Sequence, residues 1–382
     1  METELTPQSD LQSKINAITS KYQNKQNICI SVSYLIRDIT ISAVFTYIAY
    51  QIKQSIPENN TLFTTLWIMN YSLIQGTIWF GIWILGHECG HGAFAKNKIV
   101  NDAFGLVIHS FLLLPYFSWQ YSHKKHHKYT NHLTLGEGHL PFLKTELPSE
   151  KYKSVRNKLG PFLNTMMTTI PKLTVGWPLY LFSNSSGGRL DINNENIPNN
   201  ILDIFTYSHF NPYSKIFPRK MLPKVFLSDI FIILQLASLY YLDHLYGFGT
   251  SLIWYWPAYL VNNAWLVVYT ILHHTDKDVP HHGRDDFTWL KGALSTIDRN
   301  YPYLVDEMHH YIGTTHVLHH INHKIPFYYA KQATKELKIV LGDLYNCDNR
   351  IFLQAFYNTM LTCNYIDALT GTQYYKPIVF TK

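Results

Sequence analysis

The sequence predicts an all-α integral membrane protein: four transmembrane helices in two hairpins, with a cytosolic helical cap carrying a His-rich site for two metals. Three observations lead there. Long apolar runs with little or no charge recur along the 382 residues, and the basic residues gather in the segments between them. Eight of the 20 His residues fall in three short groups with helical spacing.

Residues 1–27 are polar and rich in Lys, Gln and Ser, and are expected to form a mobile tail ahead of one domain over 28–382. The first span is expected at 39–52, a short run before Lys53; it crosses only if Lys53 reaches back to the interface or the helix extends toward Arg37 and Asp38. The stretch 61–86, TLFTTLWIMNYSLIQGTIWFGIWILG, carries no charge and exceeds the roughly 20 residues a bilayer core requires. Phe104 to Phe117 contains His109 and meets Pro115 near its end, too short to cross, so it is expected to be interfacial or re-entrant. The second hairpin pairs 225–242, with Asp229 near its start, and 249–272, uncharged, rich in Trp and Tyr, with Pro257 expected to kink it. Loops within the hairpins hold almost no Lys or Arg apart from Lys53. The tail, 118–224 and 273–382 hold most of the others, so these regions and both termini are expected on the cytosolic side. The mean hydropathy of −0.09 is that of many soluble chains, but uncharged runs of such length are rare in soluble folds.

Composition narrows the function. The net charge of +6 is modest and spread along the chain, which speaks against a nucleic-acid partner. Cys29, Cys89, Cys347 and Cys363 are far apart and form no CxxC pair, as for thiols in a reducing compartment. The opening METELTPQSD has the pattern of neither a secretory signal nor a transit peptide.

The chemistry lies in the histidines. His87-Glu88-Cys89-Gly90-His91 reads literally as the HExxH of zinc peptidases, with two metal-binding His one turn apart and Glu88 as base. Two further groups follow, His123, His126 and His127 in HKKHH, and His316, His319 and His320 in HVLHH. Residues three and four apart share a helix face, so each group aims its rings one way. Eight imidazoles exceed what one zinc takes and suit a pair of metals, and a peptidase would leave six of them unexplained. A His-lined metal transporter would need ionisable residues inside its spans, and 61–86 and 249–272 have none. Imidazole ligands suit iron, copper or zinc and not calcium or magnesium.

The order HECGH, HKKHH, HVLHH resembles the membrane-bound fatty acid desaturases, most closely the plant and fungal Δ12 (oleate) and ω-3 acyl-lipid group. The similarity extends to SYLIRD (33–38), LTVGWPLYLF (173–182), HFNPYSKIF (209–217), WLKGALSTIDRNYP (289–302) and HVLHHINHKIPFYYAKQAT (316–334). It implies two non-haem iron ions, O2 as co-substrate, and a cis double bond placed in a lipid-linked acyl chain, with oleate to linoleate as the expected conversion. ω-3 desaturation, hydroxylation and acetylenation are the alternatives on the same scaffold. Electrons would come from cytochrome b5 and its NADH-dependent reductase; with no His-Pro-Gly-Gly motif in the chain, that cytochrome would be a separate protein. The resemblance makes the eight box histidines iron ligands and adds a ninth, assigned to His274 in TILHHTD in preference to His273. His310 is a candidate to stand behind the ligands or to add to them. Glu88 and Asp306 are candidates to orient ring N–H groups, with a plain membrane-edge acid as the other reading of Glu88. Trp119, Tyr121 and Trp177 are assigned to the interfacial aromatic belt rather than to an acyl channel. His316 stands where front-end desaturases usually carry Gln, and Gly92 matches ω-3 members where many plant Δ12 members have His. An endoplasmic reticulum membrane location follows from the resemblance.

Overall fold

The computed structural model describes residues 7–57, 59–147, 150–198 and 205–379. The helices are α1 (Pro7–Tyr22), α2 (Ile28–Gln54), α3 (Thr61–His91), α4 (Lys98–Phe111), α5 (Tyr116–Lys128), α6 (Glu150–Ser183), α7 (Leu222–Tyr246), α8 (Thr250–Trp254) and α9 (Trp256–His274). They continue with α10 (Trp289–Leu294), α11 (Tyr303–Met308), α12 (His316–Ile321), α13 (Phe327–Leu341) and α14 (Phe352–Thr362).

α3 is the axis of the molecule. Asn60 caps its start by accepting from the Phe63 N–H at 3.1 Å. Its end is closed by Gly92 at φ 73°, where the Ala93 N–H returns to the Glu88 carbonyl at 2.9 Å. α2, α4 and α9 pack around it. At Gly76 the backbones of α3 and α9 come so close that a Cβ would strike the Ala258 carbonyl and Val261, which is why a glycine stands there.

Three helices, α2, α3 and α7 with its lead-in from Arg219, are long and apolar enough to cross a membrane, and α4 and α5 form a pair bent by 105°. The outer faces of α2 and α7 present rows of exposed aliphatic residues, among them Ile36, Ile39 and Val44, and Ile230, Ile233 and Leu234. Such continuous apolar surface is that of a membrane protein.

Two expectations differ from the structure. The segment read as a mobile tail contains α1, whose Ile15, Ile18 and Tyr22 are buried against α13, with Lys21 paired to Glu336 at 2.6 Å. The i, i+3, i+7 apolar triplet gives α1 one buried stripe in an otherwise polar segment. The stretch 249–272 is not one helix: it breaks at Tyr255 into α8 and α9, and Pro257 lies in the first turn of α9. α9 is moreover an interior helix, with Asn262 and Asn263 buried in its middle. α7 packs on α4, α5 and α8, and its Ser228 hydroxyl accepts from the Phe117 N–H at 3.1 Å.

The segments after α9 are tied down by buried Arg299. Its guanidinium donates to the Leu272 carbonyl at 2.6 Å and to Asp276 at 3.1 Å, and also pairs with Asp348. Short strand pairings, 298–299 with 347–348 and 281–282 with 372–373, stitch the C-terminal segment to the same region. The end of α9, which carries His274, is thereby held in place from both sides.

Candidate metal centre

Four elements deliver the imidazoles. The last turn of α3 supplies His87 and His91, α5 supplies His123, His126 and His127, the last residue of α9 is His274, and α12 supplies His316, His319 and His320. All nine meet in one buried region. His87, His91, His123, His127 and His319 form one group whose ligand atoms lie within 4.8 Å of one another, and His126, His274 and His320 form a second. His316 joins the second through a contact of 3.1 Å between its Nε2 and that of His274.

The donor set fits metal ions. His91 Nε2 lies 3.1 Å from His87 Nε2 and 3.0 Å from His123 Nε2, which lies 3.2 Å from His127 Nε2. A neutral imidazole has one N–H, so these converging nitrogens cannot all hydrogen-bond to each other; lone pairs aimed at a shared cation resolve the conflict. Nε2 of His319 and of His320 are likewise buried with no hydrogen-bond partner among the described residues. Burial first, then the neighbouring rings, hold His316, His319 and His320 well below the usual histidine range and so neutral, the form that binds a metal.

The far sides of the rings are fixed by groups the sequence reading did not single out. His126 Nδ1 donates to the Glu137 carbonyl at 2.8 Å. His320 Nδ1 donates at 3.0 Å to the Thr130 hydroxyl, which itself donates to the His126 carbonyl at 2.8 Å. Each bond places the proton on Nδ1 and leaves Nε2 free to face inward. The only signal for Thr130 was its place four residues past His126.

The remaining candidates divide. His273 is engaged at both nitrogens, to the Ile297 carbonyl at 2.6 Å and the Tyr301 hydroxyl at 3.2 Å, whereas its neighbour His274 faces the cluster. Glu88 is buried with Oε1 3.4 Å from His87 Nδ1, a place behind a ring of the first group. His310 gives Nε2 to buried Asp38 at 2.9 Å and packs between Tyr34 and Phe327, away from the ring contacts that join the nine. Asp306 accepts from the Thr314 hydroxyl at 2.9 Å instead of from an imidazole, and burial raises its carboxyl to about 6. A tenth histidine, His323, was missed: its ring centroid lies 4.6 Å from that of His91 and 5.0 Å from that of His127. Its spacing of four from His319 was the available signal, though α12 ends before it.

A cavity of about 1100 Å³ opens beside the site, reaching His87, His126, His274 and His316 and running between α6, α9 and α14. Trp119 is buried, stacked on His123 at 4.6 Å and 16°, and lines this cavity together with Trp177. Neither belongs to a lipid-facing belt: Trp119 sits four residues before His123 on α5, so the periodicity that points His123 inward carries the indole with it. Tyr121 packs on Phe217 at 5.7 Å.

Fold and site together define a helical membrane protein with two adjacent imidazole clusters that open on a large cavity. The chain belongs to the fatty acid desaturase family, whose sequence model matches residues 64–346. It is 37% identical to the "Delta(12)-fatty-acid desaturase" of Arabidopsis thaliana, over 90% of this chain and 84% of the relative. It is 37% identical to the "Delta(12) fatty acid desaturase FAD2" of Calendula officinalis, over 88% and 82%, and 32% identical to the "Oleate hydroxylase FAH12" of Claviceps purpurea, over 94% and 78%. The peptidase reading of His87-Glu88-Cys89-Gly90-His91 is thereby overturned, and the enzyme is an oxidoreductase of lipids.

Proposed function

We propose that the protein is a Δ12 acyl-lipid desaturase converting an oleoyl to a linoleoyl chain. The observation that carries this is the pair of imidazole clusters opening on a cavity of about 1100 Å³, in a chain whose relatives include named Δ12 desaturases over most of its length. His87, His91, His123, His127 and His319 would hold one iron, and His126, His274, His316 and His320 the other. When bound, the iron pair supplies the O2-dependent oxidising power needed to take hydrogen from an unactivated methylene.

The chain's own residues do the rest. The cavity walls hold the acyl chain extended past the cluster, so that one pair of methylenes is presented at His87, His126 and His316. Buried Trp83 and Trp119 lie at that end and keep bulk water from it. Glu137, through its carbonyl, and Thr130 hold His126 and His320 in one tautomer, so the ligand set is preformed.

Desaturation with O2 requires two electrons beyond the two the substrate yields, and the reading assigns their delivery to a separate cytochrome b5 and its NADH-dependent reductase. It also assigns four crossings in two hairpins, with α8 and α9 together as the fourth and α4–α5 re-entrant, both termini cytosolic, in the endoplasmic reticulum membrane. The basic segments that carry the clusters support that orientation.

The test is the fatty acid profile of yeast expressing the chain beside a His316→Ala control. A new 9,12-diene that disappears in the control is the expected result. A hydroxy acid instead would move the assignment toward the activity named for the Claviceps relative, and a diene made only into a triene on added linoleate would move it to ω-3. An unchanged profile with well-expressed protein would remove the Δ12 reading.

A further inference from the structure

α6 is amphipathic in an unusual sense. After the break at Gly160 its outer face is apolar, with Phe162, Leu163, Met167 and Ile170 between 52 and 61% exposed, as expected against lipid. Toward the cavity α6 presents, beside apolar residues such as Val175 and Leu179, one polar row: Asn164, Thr168 and Lys172 follow one another at intervals of four and line the same wall. A channel meant only for a hydrocarbon tail gains nothing from such a wall.

The charges along the cavity single out Lys172. Arg189 is satisfied by Glu146 at 2.8 Å and by the Pro141 carbonyl at 2.6 Å. Glu137 is satisfied by Lys125 at 3.4 Å and by the Gly188 N–H at 3.0 Å. Lys172 alone among the described cationic residues of this wall has neither a hydrogen bond nor an ion pair. Among the described residues its neighbourhood offers no anion: His139, close enough to feel its charge, is held down at about 4 by burial and then by Lys172, and gives Nε2 to the Thr270 hydroxyl at 3.1 Å. Lys172 is itself exposed while lining the cavity, so its ammonium is free to make a charge-assisted hydrogen bond to an anion that enters there. The acyl chain of the proposed reaction carries no anion, and the ester carbonyl is neutral.

We propose that Lys172, with Asn164 and Thr168, forms a phosphate subsite that holds the head group of the acyl substrate. The inference rests on the acyl-lipid reading above and extends it to the head of the molecule. The position is consistent with oxidation in mid-chain. Tyr180 contacts Glu137, whose carbonyl holds His126, and Lys172 lies eight residues earlier, about 12 Å along the helix axis at 1.5 Å per residue. A phosphate at Lys172 would therefore be set back along α6 from the Tyr180 end that reaches Glu137. Lys172 is a specificity-determining residue in this assignment and not a catalytic one.

The experiment is native mass spectrometry of the detergent-purified, metal-loaded full chain with three probes of identical acyl chain: 1-oleoyl-lysophosphatidylcholine, oleoyl coenzyme A and uncharged 1-oleoylglycerol. The wild type is expected to favour a phosphate-bearing probe over the glyceride by about tenfold or more, the size of a charge-assisted hydrogen bond. Lys172→Met should abolish that preference and Lys172→Arg should keep it, with Lys172→Gln as the replacement should the Met variant not fold. Preference for the lysophospholipid identifies a membrane phospholipid as the source of the phosphate; preference for the thioester identifies the nucleotide carrier. Equal binding of all three by the wild type, or an undiminished preference in Lys172→Met and Lys172→Gln, overturns the proposal. Binding does not depend on turnover, so absence of a diene in yeast would count against the desaturase reading while leaving the Lys172 result intact.

Discussion

Thr130 Oγ1 lies 3.0 Å from His320 Nδ1 and fixes which nitrogen of that ring faces the cluster. Thr130→Val, of nearly the same shape, removes the acceptor and lets the ring turn over. Metal affinity at the second cluster, and activity with it, should fall roughly 10–100-fold, as for the loss of other groups behind metal ligands. Thr130→Ser should retain most of both. Iron titration followed by elemental analysis measures the first, and product formation the second.

His319 and His323 both touch the ring of His91, yet only His319 belongs to the five-membered group. His319→Ala should therefore lower bound iron toward one ion per chain. His323→Ala should leave two ions per chain. Elemental analysis of the purified variants separates the two, and loss of iron in His323→Ala would enlarge the ligand set to ten.

Asp38 and His310, both fully buried, join α2 to the loop before α12. Asp38→Ala strands His310 in the interior, and leaving a buried polar group without its hydrogen-bond partner costs about 1–3 kcal/mol. A large fall in the unfolding temperature in detergent, followed by intrinsic Trp fluorescence, is expected. A variant as stable as wild type would mean that His310 finds water or another partner.

Asp306 carries a pH dependence of opposite sign to the usual surface carboxylate. Burial raises its carboxyl from 3.8 to about 6 in the folded chain, so the folded state holds the proton more tightly than the unfolded one. Its contribution to stability is thus present below pH 4 and is lost as the pH rises through 6. Asp306→Asn should be more stable relative to wild type at pH 7 than at pH 4, measured by thermal unfolding at both. An unchanged difference between the two pH values would refute the assignment.

Much of the site was legible because its elements are helical. Spacing of three and four places side chains on one face whatever surrounds them, so HKKHH and HVLHH announced convergent imidazoles before any fold was known. Gly92, read as a marker of the ω-3 subgroup, has a local explanation as well: at φ 73° it closes α3, a conformation that favours glycine over a residue with a Cβ.

Other features depended on contacts between distant segments. The choice between adjacent His273 and His274 lies in the Ile297 carbonyl and the Tyr301 hydroxyl, which claim the first. α1 looked like a tail because three apolar residues in a polar stretch mean little until α13 supplies the surface that buries them.

By itself, the sequence determined the helical class, the apolar segments and the histidines that face together, since each follows from periodicity along one chain. The tertiary structure decided how those histidines divide into two clusters, which groups lock their tautomers, that Trp119 faces a cavity, and that Lys172 lines that cavity with no partner among the described residues. Those are relations between residues tens to hundreds of positions apart, and only packing and the geometry of buried hydrogen bonds create them.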